Sequence, residues 1–231
     1  MPPPALAPDR LRRVYDRVGA AQDRQGWYED PAVDVLVRHG AFEGAEAVFE
    51  MGCGTGRLAA RLLTLAPEAT YRGTDLSPVM VGLARARLAP FGGRATVALV
   101  DGGPPTAPPG SADRFVASYV LDTLSAIDIA RTLDAAHRML APGGRLCVAS
   151  LSDPPPLGAS GGAGLVANAV GAGWRALYRV RPTLVGGCRP VEVVPYLDEA
   201  RWTIAHAERV TPWGVPSEAV VAVPRKGEGG V

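Results

Sequence analysis

Three glycines alternate with other residues in the run VFEMGCGTGRLA, residues 48–59, directly after an apolar stretch and directly before a helical pattern. A strand-to-helix turn without side chains lets a ligand approach the backbone, and the helix that follows aims its positive end at that ligand. A dinucleotide fingerprint would read Gly-x-Gly-x-x-Gly, but here the third glycine, Gly56, arrives one residue early. A phosphate-binding loop would continue Gly-Lys-Ser/Thr, and Arg57 follows Gly56 instead. Glu50, two residues ahead of Gly52, favours a ligand carrying positive charge. A second acid, Asp75, lies about 20 residues on, where a carboxylate binds the hydroxyls of a ribose.

The elements that must position these groups alternate between strand-like and helix-like, the pattern of a parallel sheet covered by helices. Two helices are expected first, 9–21 and one opening at Asp30-Pro31, with Asp as cap, Pro in the first turn and Gly40 as stop. Strands follow at 47–51, 70–74, 95–100, 114–118 and 145–151, with helices at 57–65, 78–88 and 126–140. The run DGGPPTAPPG from Asp101 excludes regular structure, and Pro142-Gly143-Gly144 turns the chain into the fifth strand. A short helix is expected at 191–200, then a closing hairpin of strands at 203–210 and 219–223. The expected fold is α/β: a Rossmann-like three-layer sandwich on a mostly parallel seven-stranded sheet with an antiparallel C-terminal hairpin. The chain reads as one domain, with N-terminal helices over 1–40, a ligand-binding core over 41–156, a lid or substrate segment over 157–200 and the hairpin over 201–224.

One ligand joins a cationic amino-acid end to a ribose: S-adenosylmethionine. Glu50-Met-Gly-Cys-Gly-Thr-Gly56 resembles the first motif of the class I S-adenosylmethionine-dependent methyltransferases, and Asp75 matches that family's ribose acid. Asp101-Gly102 matches its adenine-contacting position, and Leu140-Ala-Pro-Gly-Gly-Arg145 the turn before its fifth strand. The resemblance implies that Gly52, Cys53, Gly54, Thr55 and Gly56 wrap the methionine moiety, with Glu50 at its polar end. It also implies Asp75 on the ribose, Leu76 and Met80 on the adenine faces, Asp101 and Gly102 at the adenine amino group, and Ser118 and Tyr119 as the floor near the methyl. Tyr15-Asp16-Arg17-Val18-Gly19 resembles the opening of the ubiquinone/menaquinone and lipid methyltransferase branch, whose leading helices fold over the cofactor.

What the family implies is methyl transfer to a small, lipophilic acceptor: a quinol, phenol, enol or lipid amine. Because a sulfonium methyl is already electrophilic, such a site chiefly aligns the acceptor and excludes water. Tyr119, Asp122, Tyr15 and Tyr28 are the side chains expected near the methyl. The histidines, His39, His137 and His206, read as structural. Asp153-Pro154-Pro155-Pro156 is similar to the Asp-Pro-Pro-Tyr of nucleic-acid amino-methyltransferases, but it lacks the stacking aromatic and follows the fifth strand instead of the fourth. A non-catalytic sensor or scaffold that binds the cofactor is the alternative class.

Composition excludes other roles. The 231 residues carry 24 Lys+Arg against 23 Asp+Glu, a net charge of +1 that gives no field for nucleic acid. Cys53, Cys147 and Cys188 show no CxxC spacing, so neither a disulfide framework nor a metal is expected. The N-terminal MPPPALAPDR lacks a signal-peptide pattern and reads as a frayed tail, and a cytoplasmic monomer or homodimer is expected. The nearly uncharged stretch from Leu157 to Trp174 is broken by glycines. From Leu165 it carries a helical stripe of Val166, Ala169, Val170, Trp174, Leu177 and Tyr178, read as a core-packing face, with peripheral membrane contact through 157–178 as the other reading.

Overall fold

The computed structural model describes residues 5–154 and 161–226. Seven strands form one sheet: β1 (Ala47–Met51), β2 (Thr70–Asp75), β3 (Ala95–Leu99), β4 (Ala112–Ser118), β5 (Leu140–Leu151), β6 (Trp202–Val210) and β7 (Ser217–Pro224), in the order β3-β2-β1-β4-β5-β7-β6. The first five run parallel, whereas β7 pairs antiparallel with both β5 and β6. The strand order reverses between β1 and β4. A doubly wound sheet opens a crevice at the carboxyl ends of the strands at such a point, and the glycine loop sits there.

Among the described residues six α-helices accompany the sheet: α1 (Pro8–Val18), α2 (Gly26–His39), α3 (Arg57–Leu65), α4 (Pro78–Leu88), α5 (Ala126–Met139) and α6 (Gly161–Val180). One apolar cluster packs α2, α3 and α4 on one face of the sheet around Leu36, Leu62, Tyr71 and Ala84. A second packs α5 on the other face around Phe115, Ile129, Met139 and Leu146. Two caps follow the sequence rule, since the Ser77 and Ser125 hydroxyls accept the amides of Met80 and Asp128. The β3–β4 connection contains no helix, so Thr70, Arg72, Thr96 and Ala98 stay exposed on the sheet.

Strand and helix positions agree with the sequence reading except in five places. Helix α2 starts at Gly26, four residues before the expected cap, and holds Pro31 internally. Burial of Tyr28 and Glu29 and the pairing of Arg57 with Glu29 and Asp30 hold that extra turn. Residues 19–25 continue from α1 as 3₁₀ turns rather than α-helix. The Pro142–Gly144 turn is taken up inside β5 as a register irregularity, with Leu140 opposite Ala112 and Arg145 opposite Arg114. The helix expected at 191–200 reduces to one 3₁₀ turn at Val194–Tyr196. Its backbone is used elsewhere: the Val191 amide donates to Leu151 O and the Val193 amide to Glu218.

The fifth difference is the inner face of α6. Ala167, Gly171 and Tyr178 are buried and Trp174 half-buried, while Val166, Ala169 and Leu177 face solvent. Gly171 lets the helix close on Pro154, which a Cβ there would meet at 3.2 Å. Residues 157–160 of the apolar segment, and residues 1–4 of the tail, lie outside the described residues. Among the described residues no helix is long and apolar enough to cross a membrane.

Candidate active site

The glycine loop folds by satisfying itself. The amides of Gly52 and Cys53 both donate to Thr74 O, at 2.7 and 3.0 Å, and the Gly56 amide donates to Cys53 O at 2.9 Å. The Gly54 amide donates to Asp75 Oδ2 at 2.9 Å, and the Ser77 amide to Asp75 Oδ1 at 2.8 Å. A phosphate cradle needs free amides, and those of Gly52, Cys53, Gly54 and Gly56 are spent. What the loop offers instead is bare backbone. Gly52 has φ 68°, and a Cβ there would come within 2.3 Å of a Val120 methyl.

Above the loop lies a cavity of about 450 Å³. Leu6, Pro8 and Leu11 roof it, Met51, Gly52 and Asp75 form its floor, and Leu76, Val100 and Gly102 make one wall. Val120, Thr123, Leu124 and Asp128 make the opposite wall. A smaller hollow of about 70 Å³ shares Leu11, Gly52, Asp75, Leu76, Val120 and Thr123 with it, and adds Tyr15, Gln22, Gly54, Ser118 and Tyr119. The two spaces are therefore neighbours along the loop. The roof is fastened by polar bonds: Ser77 Oγ donates to Asp16 at 2.6 Å, Thr55 Oγ1 and Arg87 donate to Asp23 at 2.5 Å, and Arg57 donates to Asp30 at 2.5 Å.

Residues 49–146, the segment that builds this floor and both walls, match the methyltransferase domain family. Over 130 residues the chain is 32% identical to a demethylmenaquinone methyltransferase of Thermus thermophilus, covering 56% of each protein. Over 118 residues it is 36% identical to a trans-aconitate 2-methyltransferase of Methylobacterium radiotolerans, covering 51% of this chain and 42% of that one. Over this segment the chain is similar to the class I S-adenosylmethionine-dependent methyltransferases. The match spans about half the length of those curated relatives. Among solved structures, the cyclase SpnF superposes with TM-score 0.69 at 17% identity, covering 98% of this chain and 100% of its own. The N-methyltransferase NodS from Bradyrhizobium japonicum, solved with S-adenosylhomocysteine, superposes with TM-score 0.67 at 17% identity, covering 94% and 99%. These two likenesses concern the fold.

Of the residues expected around the cofactor, Gly52, Asp75, Leu76 and Gly102 line the larger cavity, and Gly54 and Ser118 the smaller. The others stand behind or outside. Glu50 is buried under the loop, where the Tyr71 hydroxyl donates to it at 2.6 Å and burial pushes its carboxyl up to about 7. Cys53 is buried against Gly73, and burial raises its thiol. Thr55 faces Asp23 and Arg87, Gly56 seats α3 on Ala84, and Met80 is fully buried. Asp101 is an exposed side chain 3.6 Å from Arg12 and absent from the cavity lining.

Of the four side chains expected near the methyl, Tyr15 and Tyr119 line the smaller hollow. Tyr119 has φ 54°, donates to Ser217 at 2.9 Å and packs edge-on against Tyr28. Tyr28 lies one layer back, donating to Gln25 at 2.8 Å. Asp122 is fully buried, accepts the Leu151 amide at 3.4 Å through one oxygen and has no hydrogen bond on the other. Burial pushes it up to about 7, opposed by the charge of Arg189.

Many of the lining residues escaped the sequence reading, among them Leu11, Val100 and the wall from Val120 to Asp128, and three more come from unpatterned segments. Leu6 and Pro8 come from the supposed frayed tail, and their apolar character next to α1 was the available signal. Gln22 reaches the smaller hollow from a 3₁₀ turn that carries no periodic pattern, and its amide donates to Glu29 at 3.3 Å. Glu29 is itself buried and pushed up to about 7 by that burial, with Arg57 opposing.

Proposed function

We propose that this chain binds S-adenosylmethionine along the glycine loop and transfers its methyl group to a small, lipophilic acceptor. The observation that carries the reading is the pairing of a side-chain-free loop, with its amides already spent, and a carboxylate at its rim. The Asp75 oxygens accept the Gly54 and Ser77 amides and border both spaces, where a carboxylate can also accept from a ribose hydroxyl. Leu76, Val100 and the roof from Leu6 to Leu11 supply apolar faces for a base, and Gly52 and Gly54 admit the amino-acid end. When bound, this cofactor supplies an electrophilic methyl on sulfur.

The remaining work falls to the chain. Tyr15, Tyr119 and the roof exclude water from the smaller hollow, and alignment there does most of what catalysis needs. Asp122 lies behind the linings of both spaces, next to Thr123, and with its carboxyl pushed up by burial to about 7 it is the group proposed to take up a proton relayed from a phenol or enol acceptor. The apolar cavity lining and a demethylmenaquinone methyltransferase among the relatives support a quinol or phenol first, with enols and lipid amines next.

Calorimetric titration with S-adenosylmethionine, S-adenosylhomocysteine and NAD tests the binding half. Micromolar affinity for the first two and none for NAD is expected, and equal or absent binding of all three removes the reading. Incubation with radiolabelled cofactor and a panel of quinols, phenols and lipid amines tests the transfer. Tight binding without label transfer to any of them would favour a cofactor-binding sensor or scaffold.

A further inference from the structure

We propose that His39, His206 and Glu208 form a binding site for a divalent first-row transition ion such as zinc, against the sequence expectation that the histidines are structural and that no metal binds. The reasoning starts from strand register. Trp202 and Ile204 of β6 stand opposite Pro224 and Ala222, and Trp202, Val220 and Ala222 pack in the apolar cluster on the α5 side. The register shifts between Ile204 and His206, leaving Ala205 unpaired as a bulge. Beyond it the parity of the strand is inverted. His206 and Glu208 oppose Val221 and Ala219, which belong to the cluster on the α2 side. Bulges of this kind re-aim side chains.

What they are aimed at is the last residue of α2. His39 stacks on His206 with ring centres 3.6 Å apart and planes 8° from parallel, and His206 Nε2 lies 3.1 Å from Glu208 Oε2. Two of the chain's three histidines thus meet from positions far apart in sequence, with a carboxylate beside them. One ligand atom from each of the three lies within 4.8 Å of the others. Tetrahedral zinc, with bonds of about 2.0–2.1 Å, sets its ligands roughly 3.3 Å apart. Closing that gap takes up to about 1.5 Å of movement. The side chains of His206 and Glu208 are 27% and 42% exposed, so the rings can splay and the carboxylate can swing inward.

Imidazole nitrogens with one carboxylate suit zinc and its neighbours rather than magnesium or calcium, and three protein ligands leave a position for water. The C-terminal end of α2 favours a cation; Arg145, which donates to His39 O at 2.9 Å, opposes it in part. The site lies away from the glycine loop, because α2 runs roughly 20 Å from its first residue to His39. A bound ion would fasten the end of α2 to the edge strand.

The test is titration of the untagged full chain with Co²⁺, read by visible absorption, and competition with Zn²⁺. A tetrahedral Co²⁺ spectrum of micromolar affinity is expected, displaced by Zn²⁺ and weakened at least about tenfold in His39→Gln and in His206→Gln. His137→Gln should leave it unchanged. Absence of binding by the wild-type chain, wild-type affinity in either histidine variant, or thiolate-to-metal absorption would each overturn the proposal. If a histidine variant fails to fold, Glu208→Gln decides, and unchanged affinity there counts against the site. S-adenosylhomocysteine binding, measured in parallel, separates this result from that of the methyl-transfer reading.

Discussion

Gly54 and Asp75 stand 21 residues apart in the chain, and the Gly54 amide donates to Asp75 Oδ2 at 2.9 Å. The loop after β1 and the end of β2 are thereby locked together before any ligand arrives. Asp75 accordingly has two duties. It shapes the loop, and it lines the cavity above it.

Asp75→Ala is expected to weaken S-adenosylhomocysteine binding by about 1–3 kcal/mol, the range for lost hydrogen bonds to a charged group. Asp75→Asn keeps one acceptor oxygen and should lose less. Calorimetry on both variants checks this, and unchanged affinity in the alanine variant would sink the ribose assignment.

Gly52→Ala places a methyl within 2.3 Å of Val120 at a left-handed φ of 68°. The expected cost is about 1–3 kcal/mol of stability, together with loss of ligand affinity. Adding Val120→Ala should restore part of the stability, because it removes the clash and leaves the backbone strain. Thermal melts of the single and double variants decide; an innocuous Gly52→Ala would mean that the loop is not packed on Val120.

Glu50 gives a pH signature. Burial raises its carboxyl from the ordinary 4.5 to about 7, so the folded state holds this proton more tightly than the unfolded state. Its contribution to stability is complete below about pH 4.5 and is lost as pH rises to about 7. Glu50→Gln keeps an acceptor for Tyr71 without the charge. It should match the wild type at about pH 4 and melt higher at about pH 8. A cationic ligand favours the ionised form, so its affinity for the wild type should rise between those values more steeply than for the variant. Parallel slopes would remove Glu50 from the electrostatics of binding.

Asp122→Asn tests the proton acceptor. With the carboxyl of Asp122 pushed up to about 7, transfer to a phenolic acceptor should rise with pH through that region in the wild type. The variant should lose that rise. A rate profile of unchanged shape would assign Asp122 to packing alone.

Local signals carried the order of elements, the loop and the acid at the end of β2. Alternating glycines, caps at Ser77 and Ser125 and apolar runs of strand length act through near neighbours in the chain, so β1 and α3 begin and end where the sequence places them. Glycine spacing likewise argued against a phosphate cradle, and in the fold the amides of Gly52, Cys53, Gly54 and Gly56 bond to Thr74, Asp75 and Cys53 within the protein.

Tertiary structure alone decided the rest. Pro31 looked like a helix start, but burial of Tyr28 and Glu29 outweighed it. Glu50, Cys53 and Met80 sit in the right motif, yet they lie beneath the cavity and not in it, because side chains alternate across a strand and face the core along a helix. Leu6 and Pro8 became a roof through Asp16 and Asp23, which bind groups on α4 and the glycine loop that no local pattern connects to them. A single unpaired residue, Ala205, turned His206 toward His39. Sequence patterns report interactions between near neighbours. Which side chain reaches the ligand depends on register and packing between distant segments, which only the folded chain defines.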